Sequence, residues 1–257
     1  MDSATLGILG VGHLASYTVK GLRHSSDNRN IILSPRGAKI AKELANSCNC
    51  EIAPDNQAVI DRSDLILLAV RPDALPDLID GLKFKPNQTV ISALAGVTMD
   101  QLKSYPELQQ CELVRVMPST SAEVCSGPIP LYPANPVVEA LFGQLGTAVQ
   151  LESEELFDVA LSHACLHGWS YFLIQQLIDW SCAQGMDETT ARKMVAHSIS
   201  SAVDFAEANP EQSYGEIGRS IATEGTFTLQ GVEAIRTTGG LDSWQAAMEL
   251  IAQKAKG

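Results

Sequence analysis

The residues best suited to chemistry lie in three places, and the first is the turn Gly10-Val11-Gly12-His13-Leu14-Ala15. An apolar run from Leu6 to Leu9 precedes it, and Leu14, Tyr17, Thr18 and Leu22 follow at helical spacing. Strand, glycine turn and helix in that order are the setting in which a dinucleotide is bound. Gly10 permits the tight turn, Gly12 lets the backbone approach a pyrophosphate, and Ala15 is small enough for close helix–strand packing. The N–H groups of the helix that starts at His13 and Leu14 would then face the phosphates. A purely structural strand-to-helix turn also uses glycine, and the end of the next strand argues against that reading. There, Ser34-Pro35-Arg36-Gly37 offers a hydroxyl and a guanidinium, with no Asp or Glu for the two ribose hydroxyls. Ser34 and Arg36 suit the extra charge of a 2′-phosphate, so NADP(H) is expected over NAD; the alternative is a solvated loop arginine. The third place is His163 and His167, which share a helical face at i, i+4. With no Glu of a His-Glu-x-x-His pattern and no third ligand, they give no metal site. Either they pack, or one of them lines a pocket and donates a proton near neutral pH.

The elements that must position these residues alternate between strands and helices. Asn30–Ser34, Glu51–Ala53, Asp64–Val70, Gln88–Ala93 and Glu112–Val116 read as strands, with helices over 39–47, 56–62 and 74–82 between them. The uninterrupted apolar run at 64–70 fits a central parallel strand covered on both faces. The expected fold is α/β: a Rossmann-type doubly wound sheet, followed by an all-α domain. In such a sheet the turns after Leu9, Leu33, Val70, Ala93 and Val116 open onto one crevice at the strands' carboxyl ends. That adds Ala69, Val70, Arg71 and Pro72, then Ala95, and then Ser119, to the cofactor candidates. A Pro-rich stretch over 127–136, a helix near 137–143 and a strand at 148–151 complete this domain, taken as residues 1–152.

From 153 to 257 strands disappear. Helices are expected over 153–166, 169–184, 187–208, 214–222 and 226–237, with a last one from about 241 that ends in Lys254 and Lys256. Their wide apolar stripes suggest burial against a second copy, giving a homodimer or an oligomer of dimers. Trp169, Tyr171 and Phe172 read as helix–helix packing, and Arg115 and Glu123 as salt-bridge residues.

An apolar content of 45% with 19% charged residues describes a globular chain, and a net charge of −12 argues against nucleic-acid or anionic-membrane partners. No stretch is apolar enough to span a membrane, and no secretory leader is evident. Six scattered cysteines look like free thiols in a reducing cytoplasm rather than a disulfide framework.

Four segments occur in order: Gly7-Ile8-Leu9-Gly10-Val11-Gly12-His13-Leu14, Leu67-Leu68-Ala69-Val70-Arg71-Pro72, Ile91-Ser92-Ala93-Leu94-Ala95-Gly96-Val97 and Val114-Arg115-Val116-Met117-Pro118-Ser119-Thr120. Through them the chain resembles the pyrroline-5-carboxylate reductase family, and its helical half is similar in length and layout. The resemblance implies an NADPH-dependent reduction of a cyclic imine to proline by helical domains that interlock into dimers.

Ile221–Gly231 stands where that family carries a Ser-Pro-Gly-Gly-Thr-Thr substrate loop, and here Glu224, Thr226 and Phe227 depart from it while Gly225 and Thr228 fit. The family's Ser-Gly-Ser-Gly-Pro-Ala-Tyr segment is Ser162–Tyr171 in this chain, with His163, His167 and Trp169 in place of small residues. Ser119 stands where the family usually has an Asn, which the resemblance puts beside the nicotinamide. A bound imino acid needs an anchor for its carboxylate, for which N–H groups and a hydroxyl at a helix N-terminus serve. Gly225, Thr226 and Thr228 are the candidates, although a threonine there can equally be a cap. With His163 they form the expected substrate set, and Thr228 and His167 are the expected catalytic pair. Other readings keep the fold but change the substrate to another imine or a keto acid, or give a catalytically silent nucleotide-binding regulator.

Overall fold

A computed structural model describes residues 4–255, which leaves Lys256 outside the described residues. One compact unit runs to Ala164 and a second covers Cys165–Lys254.

The first unit is built on an eight-stranded sheet of order β3-β2-β1-β4-β5-β6-β7-β8. The strands are β1 (Leu6–Leu9), β2 (Ile31–Leu33), β3 (Glu51–Ile52), β4 (Leu65–Leu68), β5 (Thr89–Ser92), β6 (Glu112–Val116), β7 (Pro128–Tyr132) and β8 (Thr147–Gln150). Helices α1 (His13–His24), α2 (Ala38–Cys48), α3 (Asn56–Asp61), α4 (Leu75–Ile79), α5 (Met99–Ser104) and α6 (Pro136–Phe142) connect them. β1 pairs in parallel with β2 and β4, with Leu6 opposite Ile31 and Leu65. Successive residues of a strand face opposite sides. Accordingly Leu6, Ile8, Leu65 and Leu67 enter one apolar cluster, and Leu9, Ile66 and Leu68 enter the other. Both faces of β4 are covered, which is why its sequence is apolar without alternation.

The strand β7 was not expected, because prolines disfavour a strand inside a sheet. Here their spacing makes the strand possible. The Met117 N–H donates to the Pro130 carbonyl at 3.1 Å, which places the missing N–H of Pro130 on the β6 side. The β6–β7 pairing is short and antiparallel, joining Arg115 with Tyr132 and Val116 with Leu131. The intervening residues face β8, where Leu151 donates to Leu131 at 3.0 Å.

Helix α7 (Glu154–Ala183) begins in the first unit and runs for 30 residues, where two helices were expected. Gly168 does not break it. A glycine inside a helix weakens it by about 1 kcal/mol relative to alanine but keeps its N–H in the ladder, and no proline intervenes. Its first turns are held by Arg115, which is only 1% exposed. The guanidinium contacts Glu154 Oε1 at 2.5 Å and Asp158 Oδ1 at 3.1 Å, and lies 4.3 Å from the Phe157 ring centroid. Glu154 Oε1 also accepts the Met99 N–H at 2.6 Å. Glu123 is the weaker partner of its kind, 3.8 Å from Lys20.

The second unit is helical: the rest of α7, then α8 (Glu188–Glu207), α9 (Tyr214–Ile221), α10 (Phe227–Thr237) and α11 (Gly240–Ala255), whose last residue falls outside it. Asp187 caps α8, and Ser213 with Glu216 forms a capping box on α9. Little is buried within it: in α8 only Ala191 and Ala206, and no residue of α9 or α10. Among the described residues, no helix is long and apolar enough to cross a membrane.

Candidate functional site

A cleft of about 240 Å³ opens at the carboxyl ends of β1, β2 and β4, lined among others by Gly10, Gly12, Arg36, Ala69, Val70 and Arg71. The backbone there admits glycine for two different reasons. Gly10 has φ +95°, and a Cβ at this position would collide with Val70 Cγ1 and approach the Ala69 carbonyl to 2.8 Å. A Cβ on Gly12, by contrast, would meet no protein atom within 4 Å. The space beside Gly12 is therefore open for a ligand. Gly12 is the N-cap of α1 and supplies no side-chain acceptor, so the N–H groups of the first turn face that space without a side-chain partner. Such an array, together with the helix dipole, favours phosphate. His13 is exposed and stacks on Tyr17 at 6.4 Å, while Leu14 is half-buried.

Ser34 departs from its expected place. It is fully buried, and its Oγ accepts the Gly10 N–H at 3.1 Å. Its hydroxyl holds the glycine turn from behind and has no surface left for a ribose phosphate. Arg36, in contrast, is exposed at the cleft and makes no hydrogen bond or ion pair among the described residues. Arg71 is exposed and lies 3.3 Å from Asp73, with Pro72 opening the short 3-10 turn that follows.

Val11, Gly37 and Ala74 also line the cleft, though the sequence did not single them out. Gly37 was the legible one: it follows Arg36, has φ +87°, and any side chain on it would strike the Val11 carbonyl. It thereby fixes the Arg36 turn against the glycine turn. Farther along the sheet edge, Ala95 is exposed after β5, and Ser119 caps the 3-10 turn Thr120–Val124 after β6.

At the expected substrate end, Gly225 has φ +83° and leads into α10. Thr226 caps this helix: its Oγ1 accepts the Leu229 N–H at 3.2 Å and donates to the Thr223 carbonyl at 2.7 Å. Capping thus occupies the Thr226 hydroxyl, whereas the exposed Thr228 makes no hydrogen bond through its hydroxyl among the described residues. Phe227, between them in sequence, is 90% exposed. His167 Nε2 lies 3.1 Å from the Tyr171 hydroxyl, with the rings edge to face at 5.1 Å. The Tyr171 phenol, expected only to pack, is thereby a polar partner of that imidazole. His163 is exposed one turn earlier on the same helix.

Among the described residues, no group of three or more His, Cys, Asp or Glu is placed to hold a metal ion. The six cysteines are free, and burial pushes the Cys50 and Cys111 thiols up to about 11, which keeps them protonated and poorly nucleophilic at neutral pH.

A doubly wound sheet whose glycine turn meets an uncapped helix N-terminus and an unpaired arginine defines a dinucleotide-binding domain of the Rossmann type. Residues 5–96 match the family described as NADP oxidoreductase, coenzyme F420-dependent, and residues 154–257 match the pyrroline-5-carboxylate reductase dimerisation family. Over its whole length the chain is similar to pyrroline-5-carboxylate reductases. It is 25% identical over 269 residues to the pyrroline-5-carboxylate reductase of Methanosarcina acetivorans, covering 100% of this chain and 98% of that one. With the Synechocystis enzyme of the same name it shares 27% over 252 residues, covering 92% and 91%. The fold is that of the pyrroline-5-carboxylate reductase from Streptococcus pyogenes (TM-score 0.86, 23% identity, covering 100% and 99%). It is equally that of the Plasmodium falciparum pyrroline carboxylate reductase with NADP bound (TM-score 0.88, 20% identity, covering 100% and 98%).

Proposed function

We propose that this protein reduces a small cyclic imino acid, foremost pyrroline-5-carboxylate to proline, using NADPH. The observation that carries the reading is the open, uncapped Gly12 turn beside the unpaired Arg36, in a chain with this family's dimerisation domain. The first-turn N–H groups of α1 bind the pyrophosphate, and Arg36 binds the 2′-phosphate as a charge-assisted partner. Bound there, NADPH supplies the hydride. The N-terminus of α10 takes the substrate carboxylate through its free N–H groups and the Thr228 hydroxyl, while Gly225 keeps the approach clear. His167 holds the proton that the imine nitrogen requires, and Tyr171 orients its ring. The large apolar side chains left exposed in the second unit, Phe172 at 78% and Phe227 at 90% among them, support a homodimer or an oligomer of dimers. A cytoplasmic setting fits the six free thiols.

Because Phe227 and the Thr226 cap reshape the substrate turn, larger cyclic imines and keto acids belong in the same trial. NADPH oxidation measured against such a panel tests the reading, with pyrroline-5-carboxylate expected to be the best substrate. Thr228→Ala should lower turnover about ten- to a hundredfold, as for one hydrogen bond to a bound anion. His167→Ala should alter the pH profile between about 6 and 8. Full turnover by Thr228→Ala, or an unchanged profile in His167→Ala, would remove that residue from the chemistry.

A further inference from the structure

The charged side chains that line the cleft are Arg36 and Arg71, and the strand order sets them on opposite sides of the glycine turn. β1 lies between β2 and β4, so Arg36, after β2, and Arg71, after β4, flank the Gly10–Gly12 turn that follows β1. The two guanidiniums are in different states. Arg36 makes no ion pair among the described residues, whereas Arg71 lies 3.3 Å from the Asp73 carboxylate. The backbone keeps that pair together: the Ala74 N–H donates to the Arg71 carbonyl at 3.0 Å, and Ala74 itself lines the cleft. Arg71 is 84% and Asp73 69% exposed, so neither side chain is locked into the pair.

A dinucleotide whose 2′-phosphate meets Arg36 lays its pyrophosphate over the glycine turn, between the two guanidiniums. The pyrophosphate and the Asp73 carboxylate then compete for Arg71. Either Asp73 gives up the guanidinium, or carboxylate and phosphate share it against their mutual repulsion. In both cases the free energy of the ion pair is subtracted from that of binding. A pair this exposed is weak, so the subtraction tunes the affinity without abolishing it.

We propose that Asp73 is a built-in competitor of the cofactor pyrophosphate for Arg71, which loosens NADP(H) and eases its exchange between turnovers. The inference rests on the NADPH reading above and adds to it a residue that lowers cofactor affinity.

The test is a double-mutant cycle on the full-length protein at low salt. Wild type, Asp73→Asn, Arg71→Ala and the double variant are titrated with NADPH and with 2′-phospho-ADP-ribose. Adenosine 2′-monophosphate, which lacks the pyrophosphate, probes the Arg36 side alone. Asp73→Asn should bind NADPH and 2′-phospho-ADP-ribose about one-and-a-half- to fivefold more tightly, the range of an exposed ion pair. Arg71→Ala should weaken both ligands, and in that background the gain from Asp73→Asn should largely vanish, since no guanidinium is left to compete for. Adenosine 2′-monophosphate should bind all four proteins alike. No gain in Asp73→Asn overturns the proposal. So does an undiminished gain in the Arg71→Ala background, or an equal gain for adenosine 2′-monophosphate, because Asp73 would then act only as a distant charge. Failure of wild type to bind 2′-phospho-ADP-ribose would overturn the NADPH reading itself, and this competition with it.

Discussion

Alanine at Gly12 and alanine at Gly10 should damage the protein in opposite ways, although the two positions are two residues apart. At Gly12 the added methyl has no protein neighbour within 4 Å and the backbone is extended (φ −107°, ψ −161°), so the fold should register only the poorer N-cap preference of alanine, about 0.5–1 kcal/mol. The methyl does enter the space proposed for the pyrophosphate. Displacing one charge-assisted N–H···phosphate contact removes about 1.5–3 kcal/mol, or roughly ten- to 150-fold in affinity. At Gly10 the φ of +95° is strained for any L side chain, and the methyl is driven against Val70 and the Ala69 carbonyl. Backbone strain alone is worth about 1–3 kcal/mol, and the overlap adds to it. Thermal melts and NADPH titrations of both variants distinguish the effects. Gly12→Ala should melt within a few degrees of the wild type yet bind NADPH weakly. Gly10→Ala should melt lower by some 5 °C or more, at about 2–4 °C per kcal/mol. A Gly12→Ala protein with unimpaired NADPH affinity would refute the placement of the pyrophosphate.

Arg36→Ala should weaken NADPH by about 1.5–3 kcal/mol and NADH hardly at all; equal losses for the two cofactors would remove Arg36 from the 2′-phosphate. Light scattering at micromolar concentration should report a dimer or a multiple of it, and a monomer would contradict the pairing of the second unit's apolar faces. Acid stability offers a separate check at Asp27. Burial pushes its carboxyl up, but hydrogen bonds from the Arg29 side chain and N–H, and from Gln144, outweigh that and leave it below its ordinary value. A group of this kind contributes stability that is complete above the unfolded-chain value of about 4 and is lost as the pH falls through the lowered folded value. Urea melts should therefore show wild type losing more stability than Asp27→Asn between pH 7 and about 3, and parallel curves would rule the contribution out.

Much of this was legible in the sequence because the signals were local. The glycine turn, the apolar β4 run and the helix boundaries of the second unit depend on neighbours a few residues away. Most of what escaped depended on distant partners. Ser34 carries a hydroxyl suited to phosphate, and only the packing of β2 beside β1 shows that it bonds to Gly10 N–H. The strand β7 looked like loop because its prolines lose a donor, and only the pairing with β6 shows on which side the donor is missing. Two helices were expected over 153–166 and 169–184, yet one helix runs through Gly168, whose N–H stays in the ladder with no proline nearby. Tyr171 gained its polar partner through helical spacing that was readable, but aromatic residues at that spacing more often pack.

The Arg115 cluster limits how this sequence can change over time. One cation, nearly sealed from solvent, answers to two carboxylates on α7 and lies over an aromatic face, and one of those carboxylates also holds the start of α5. Removing Arg115 leaves two carboxylates without their counter-charge, at about 3–5 kcal/mol, a large share of the stability of an ordinary domain, whereas loss of one carboxylate still leaves the guanidinium the other. Replacing the whole set with apolar residues of matching volume can be neutral or better. Both ends of that path are stable and its middle is not. Position 115 is therefore free to drift only together with 154 and 158, or after stabilising changes elsewhere have accumulated. A variant library screened one substitution at a time would record position 115 as intolerant, although the cluster as a whole is replaceable.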